Sequence, residues 1–327
     1  MKKPFIITAL AATLYACSTG GAGTGDVPVF IGLRTEGCTS KALPPPDDDL
    51  LSNLNLFVYN SRGVFEGHWY WRKEGPPYGI TLLGGATYSI YACANLGYDL
   101  GDLPLDRLMS TRYHLAYEDE YSEGFPMSGS LESVTIDPEA PFLEIPLFRM
   151  MSKLTLSIDR TALEADVDFI VEEVRIGGCP RSASLFGRSR AGSKEDVFTR
   201  GYVLSGAETS PLDRDVSPGI SGDLSLYMLE NAQGDLLEGV TDEREKLLKE
   251  GRYDEVCSYI EISATYLSPR VRTLPGEFLR YRFYLGEAPG NFDVLRNSEY
   301  HISVRPEGDG LSEDSWRVDK SGLEDIQ

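Results

Sequence analysis

Apolar residues in this chain recur at every second position, in short runs cut by glycine and proline. Such a run gathers its apolar side chains on one face only when extended, so it builds half-buried strands and not helices. "VPVFIGLR" at 27–34 puts Val27, Val29, Ile31 and Leu33 on one face. Pro28 has the other parity and cannot donate to a ladder, which predicts an edge position. "LNLFVYN" (54–60), the turn signal Ser61-Arg62-Gly63 and "VFEGHWYW" (64–71) predict a hairpin. "YGITLL" (78–83) and "TYSIYACAN" (87–95) flank Gly84-Gly85, and "LESVTID" (131–137) and "FLEIPLF" (142–148) flank Pro138 and Pro141.

A second series starts at "RMMSKLTLSID" (149–159). It continues through "FIVEEVRIGG" (169–178), "DLSLYML" (223–229), "CSYIEISATYL" (257–267), "FLRYRFYLG" (278–286) and "EYHISVRP" (299–306). Short strands at this spacing predict an all-β chain of two tandem β-sandwiches, 27–148 and 149–310, with a polar tail at 311–327. One or two short crossing helices are expected. "PLDRLMS" (104–110) is one; "TDEREKLLKEGRYDEV" (241–256) is the other, with Thr241 as N-cap, acids in its first turn and Gly251 as left-handed cap.

The N-terminus has its own logic. Lys2 and Lys3 precede an uncharged apolar run from Pro4 to Ala16, too short to span a bilayer, which needs about 20 residues. This reads as a signal peptide over 1–16. Leu14-Tyr15-Ala16-Cys17 resembles a bacterial lipobox, which makes Cys17 the candidate lipid anchor; each buried acyl methylene contributes roughly 0.8 kcal/mol to membrane binding. Residues 17–26 read as a flexible tether, its "STGGAGTGD" stretch spanning roughly 15–18 Å r.m.s..

Charge and motif content narrow the chemistry. The formal charge of −20 argues against a nucleic-acid partner, whose phosphates need a basic surface. Beyond Cys17, the cysteines are Cys38, Cys93, Cys179 and Cys257; their pairing is open, and no Cys-x-x-Cys spacing suggests zinc. His68, His114 and His301 show no metal-hydrolase spacing, and neither a Gly-x-Ser-x-Gly elbow nor a P-loop is present. Asp47, Asp48 and Asp49 lack the alternating spacing of a calcium loop and read as a solvated turn. The reading is therefore a non-enzyme with no cofactor and no metal, although a glycosidase-type carboxylate pair has no sequence signature that would exclude it. In "HWYW" (68–71), Trp69 and Trp71 share one strand face. They are candidate glycan contacts, against core packing as the default.

Several of these pieces stand in the order seen in the Bacteroidales fimbrillins. The lipobox is followed by an alternating strand ending near an arginine, then "NLNLFVYNSRGVF", "YSIYACANLG", "FPMSGSLESVTI" and "LFRMMSKLTLSI". "SYIEISATYLS", "YRFYLGE", "NFDVLRNSEYHISV" and "SWRVD" follow. The chain resembles a type V pilus subunit over nearly its whole mature length. The resemblance implies transthyretin-like sandwiches, no catalysis, other pilus subunits as partners, and a lipid-held place on the outer membrane at the cell surface. It also implies a displaced or donor strand carrying Val27, Val29, Ile31 and Leu33, and processing after an arginine, for which Arg34 is the candidate. After Pro306 only Trp316 and Val318 alternate, a poor donor segment, so an anchor or accessory subunit is expected over a stalk subunit. The competing expectation is a surface lipoprotein that binds glycan or a host protein through "HWYW" or the loops 98–125 and 181–222.

Overall fold

Alternation becomes a strand wherever a backbone partner lies alongside. A computed structural model describes residues 25–35, 51–73, 75–117, 124–213, 219–248, 251, 253–309, 311, 318–319 and 323–326. Cys17, Cys38 and the triplet Asp47-Asp48-Asp49 lie outside the described residues, as do the signal peptide and most of the tether.

The first half of the chain contributes β1 (Asp26–Thr35), β2 (Asn53–Asn60), β3 (Phe65–Arg72), β4 (Tyr78–Leu83), β5 (Thr87–Ala94), the helix α1 (Leu105–Ser110), β6 (Arg112–His114), β7 (Met127–Thr135) and β8 (Phe142–Arg149). Strands β3-β2-β5-β7 form one layer and β8-β1-β4 the other. The layers meet at a corner where β7 bonds β8 only at Met127–Arg149 and Ser128–Phe148. Between them Val29, Ile31, Ile80, Leu82, Ile145 and Leu147 pack against Leu54, Leu56, Val58, Ile90 and Ala92.

The second half contributes β9 (Met151–Ile158), β10 (Asp168–Gly177), β11 (Ser182–Ser184), β12 (Tyr202–Ser205), β13 (Leu224–Leu229), β14 (Asn231–Asp235), β15 (Tyr259–Leu267), β16 (Val271–Thr273), β17 (Leu279–Tyr284), β18 (Asn291–Val294) and β19 (Glu299–Val304). Two short strands of the tail, β20 (Val318–Asp319) and β21 (Leu323–Asp325), add to β17 and β16 of the chain's own sheet. Here β12-β10-β15-β17 form one layer and β13-β9-β19 the other. Leu154, Leu156, Leu226 and Met228 face Val174, Ile176, Ile260 and Ile262 across the core.

The two halves repeat one topology. Strands β1, β2, β3, β4, β5, β7 and β8 correspond in order to β9, β10, β12, β13, β15, β17 and β19, and in pairing apart from the β7–β8 corner, which has no counterpart between β17 and β19 among the described residues. In each half the first strand runs antiparallel to the fourth and parallel to the last. The strands expected from alternation are present, whereas β6, β11, β12, β14, β16, β18, β20 and β21 fall outside the runs read as strands; the duplication leaves no periodic sequence mark.

A third core joins the halves. Phe57, Tyr59, Tyr91 and Cys93 point away from the first core and meet Leu108, Tyr113, Ala183, Leu185 and Leu229. β2 is thus buried on both faces, and its polar Asn55 is satisfied inside by donating to the Tyr98 carbonyl. Among the described residues, β6 with β11 is the one strand pair that links the halves. Cys93, Cys179 and Cys257 are buried and not bridged to one another; burial pushes the Cys257 thiol up to about 12.

Two expectations need correction. The helix over 241–256 does not form: the described part of that stretch holds a single 3-10 turn, Glu243–Glu245, capped by Asp242 and not Thr241. The segment has capping residues but no apolar stripe to bury, and packing of such a stripe is what holds most helices in proteins. Instead Lys246 is drawn inside, where its Nζ donates to the Ala288 carbonyl and lies 5.3 Å from the Phe292 ring centre. The 104–110 helix is present as α1. Pro28 does not mark an edge strand, because β1 lies between β8 and β4. It is tolerated because β8 joins only at Phe30, so Pro28 sits where β1 is bonded on one side alone.

Candidate functional site

The strand with the least ordinary attachment is β1. Residues 26–31 pair with β4, and residues 30–35 pair with β8. Among the described residues, Phe30 and Ile31 are the two paired on both sides. Its counterpart β9 pairs with β13 over 151–156 and with β19 over 153–158, so four residues are paired on both sides. The first sandwich therefore keeps its central strand with half the two-sided overlap of the second.

The side chains of β1 compensate through burial. Val29 and Ile31 are completely buried, and Val27 and Leu33 pack partly buried against the same core. All four residues of the candidate displaced strand thus share the inward face. Outward, Phe30 is exposed and Gly32 lies under the Phe142 ring: a Cβ at residue 32 would stand 2.6 Å from a ring carbon. Gly32 leaves the space that the exposed Phe142 ring occupies, a relation that sequence reading missed because the neighbour is on another strand. Arg34 is exposed near the strand's end, 3.7 Å from the Glu144 carboxylate. Such an exposed pair contributes about 0–1 kcal/mol.

The "HWYW" strand divides by parity as expected. Trp69 and Trp71 turn toward the first core; Trp71 lies 4.8 Å from the Tyr78 ring, while Trp69 also lines a cleft at the sandwich's open edge. His68 points the other way, its ring stacked 4.4 Å from Phe57 and its Nε2 3.1 Å from Asn55 Oδ1. Burial holds the His68 pKa below its usual value, against the pull of Asp99 and Asp102. The unfolded chain then takes up the proton more readily, so this contribution is whole above about pH 6.5 and is lost as pH falls below it. Melting temperature should therefore drop more between pH 8 and pH 5.5 for the native chain than for His68→Gln. Equal drops would remove His68 from the account.

With this geometry in hand, the relatives can be compared. The second half matches the model of a domain of unknown function (DUF4906) over residues 226–304. No curated protein matches the sequence. Among solved structures, the tip fimbrial protein Mfa3 of Porphyromonas gingivalis, with C-terminal truncation, superposes with a TM-score of 0.56 at 12% identity, over 92% of this chain and 99% of that one. This is the fold of the fimbrillins. A cell adhesion protein of Bacteroides eggerthii shares it with a TM-score of 0.53 at 13% identity, over 94% of this chain and 96% of the other. The fimbrillin FimA of Porphyromonas gingivalis gives 0.51 at 14% identity, over 88% and 91%. At these identities the fold is what is shared, with side chains largely replaced.

Proposed function

We propose that the chain is a structural subunit of a cell-surface fimbrium, an anchor or accessory member held by lipid on Cys17 and joined to its neighbours by strand addition. One observation carries the reading: β1 fills its groove with fully buried Val29 and Ile31 while, among the described residues, two of its positions are paired with strands on both sides. A strand held by its side chains more than by its ladder can be exchanged for a strand of the same parity from another chain. Main-chain hydrogen bonds then supply affinity and the alternate side chains supply specificity. The fimbrial and adhesion proteins that share the fold support the pilus role.

Arg34 suits processing for a related reason. Its side chain is exposed, beyond Ile31, the last residue in register with β4. The tail argues against a stalk role, because β20 and β21 are already laid on the chain's own second sheet.

The N-terminus of the mature protein on cells tests the reading. A start at Cys17 with attached acyl groups is the anchor outcome; a start at Thr35 means that β1 is released and the subunit polymerises or caps. Cys17→Ala should move the protein from the outer-membrane fraction to the soluble one. Unchanged membrane retention with unacylated Cys17 would end the lipid-anchor reading.

A further inference from the structure

We infer that the cleft beside Trp69 is a binding site for a neutral sugar residue, a role beyond subunit assembly. Among the described residues, β3 and β4 are the outer strands of their layers, with a cleft between them. The opening holds a cavity of about 640 Å³. That is within the range of small-molecule sites, about 300–1,000 Å³.

Its lining has two kinds of group. Trp69, Leu82 and Tyr88 present apolar surface. The indole also packs on the core and lies across Gly67, where an added Cβ would stand 2.6 Å from a ring carbon. Gly67 thus leaves the room that sets the ring's position. Around this surface stand Asp26, Asn60, Arg62 and Glu66. Asn60 Nδ2 donates to Glu66 Oε1 at 2.6 Å, and Asn60 Oδ1 accepts from the backbone N–H groups of Arg62 and Val64. The turn therefore orients the amide and one carboxylate in advance.

This combination fits a pyranose. Its C–H face is apolar and rests on an aromatic ring, while its hydroxyls pair with planar carboxylate, amide and guanidinium groups. Two carboxylates against one guanidinium, on a chain of charge −20, select against sialylated or sulfated sugars. The ligand class is a neutral hexose or N-acetylhexosamine. Trp69 is the candidate that the "HWYW" strand supplies; Trp71 belongs to the packing against Tyr78.

The test uses the full chain titrated with methyl β-galactoside, methyl β-glucoside and N-acetylglucosamine, with sialyllactose as the charged probe. Binding is read by calorimetry and by tryptophan fluorescence. At least one neutral sugar should bind saturably in the millimolar range. Glu66→Gln and Arg62→Ala, both at the exposed hairpin, should weaken it at least fivefold while the melting temperature stays within a degree or two. Trp69→Phe, which keeps an aromatic ring against the core, should weaken it at least threefold. Absence of saturable binding by all three neutral sugars overturns the proposal. So does binding that is unchanged in both hairpin variants, or a preference for sialyllactose. The titrated full chain keeps Asp26 of β1 in the cleft, so a failure to bind sugar leaves the test of the mature N-terminus, and with it the pilus reading, untouched.

Discussion

Removing residues 1–34 should lower the melting temperature of the first sandwich by roughly 10–20 °C, and a peptide of residues 26–35 supplied in trans should restore most of it. The size follows from burial. Val29 and Ile31 are fully buried, and each such side chain stabilises by about 1.5–3 kcal/mol, so the pair accounts for about 3–6 kcal/mol. A domain has only about 5–15 kcal/mol in total. Without β1, the inner faces of Ile80, Leu82, Ile145 and Leu147 lose their partner strand, and β4 and β8 each gain an open edge. Scanning calorimetry with and without the peptide measures the effect. A peptide with Val29 and Ile31 moved by one position should fail, because a one-residue slip turns every side chain to the other face. If the shortened chain melts like the whole one, β1 is not the keystone of the first core and strand exchange loses its physical basis.

The second large effect is expected at Glu230, which is buried where the halves meet. Its Oε2 accepts from Arg296 Nε at 2.9 Å, from Arg296 Nη2 at 2.8 Å and from the Ser189 backbone N–H at 2.9 Å. Arg296 also donates to the Ser184 and Leu185 carbonyls, at 2.9 and 3.1 Å. One ion pair thus ties the β13–β14 junction, the turn before β19 and the end of β11. Leu185 is in turn a member of the core that joins the halves and accepts from Ser128 Oγ of β7. Glu230→Ala leaves the guanidinium in a low-dielectric place with only carbonyl partners, at a cost of about 3–5 kcal/mol. Replacing both partners by apolar residues, Glu230→Leu with Arg296→Met, should recover much of that, since no charge is then left to desolvate. Denaturant unfolding of the two singles and the double closes the cycle. Additive losses would show that the pair is not coupled.

Much of this architecture is legible in the sequence because burial in a sandwich is a matter of parity. Val27, Val29, Ile31 and Leu33 share an inward face, as alternation requires, and Trp69 and Trp71 fall on the core side of their strand. What is not legible depends on neighbours distant in sequence. The duplication is hidden because β1 and β9 share only an alternating pattern and a set of partners. Gly32 looks like an interruption of a good strand until Phe142 is seen lying over it. The stretch 241–256 misleads because capping residues describe how a helix would end, not whether it has anything to bury. Lys246, which falls inside the expected crossing helix, is instead 1% exposed beneath a carbonyl and an aromatic ring. The cleft at Trp69 depends on which sheet edges are left open, and that is fixed only when β3 and β4 both end their layers.

The split pairing of β1 also has a mechanical meaning. Tension entering at residue 26 and directed along the strand would pull its rungs sideways, all together, instead of peeling them one after another. Inter-strand bonds lie across the strand direction, so an axial load is shared among the contacts with β4 and β8. A molecule tethered upstream of Asp26 and tugged from its far end would then resist with the whole strand as a shear pin.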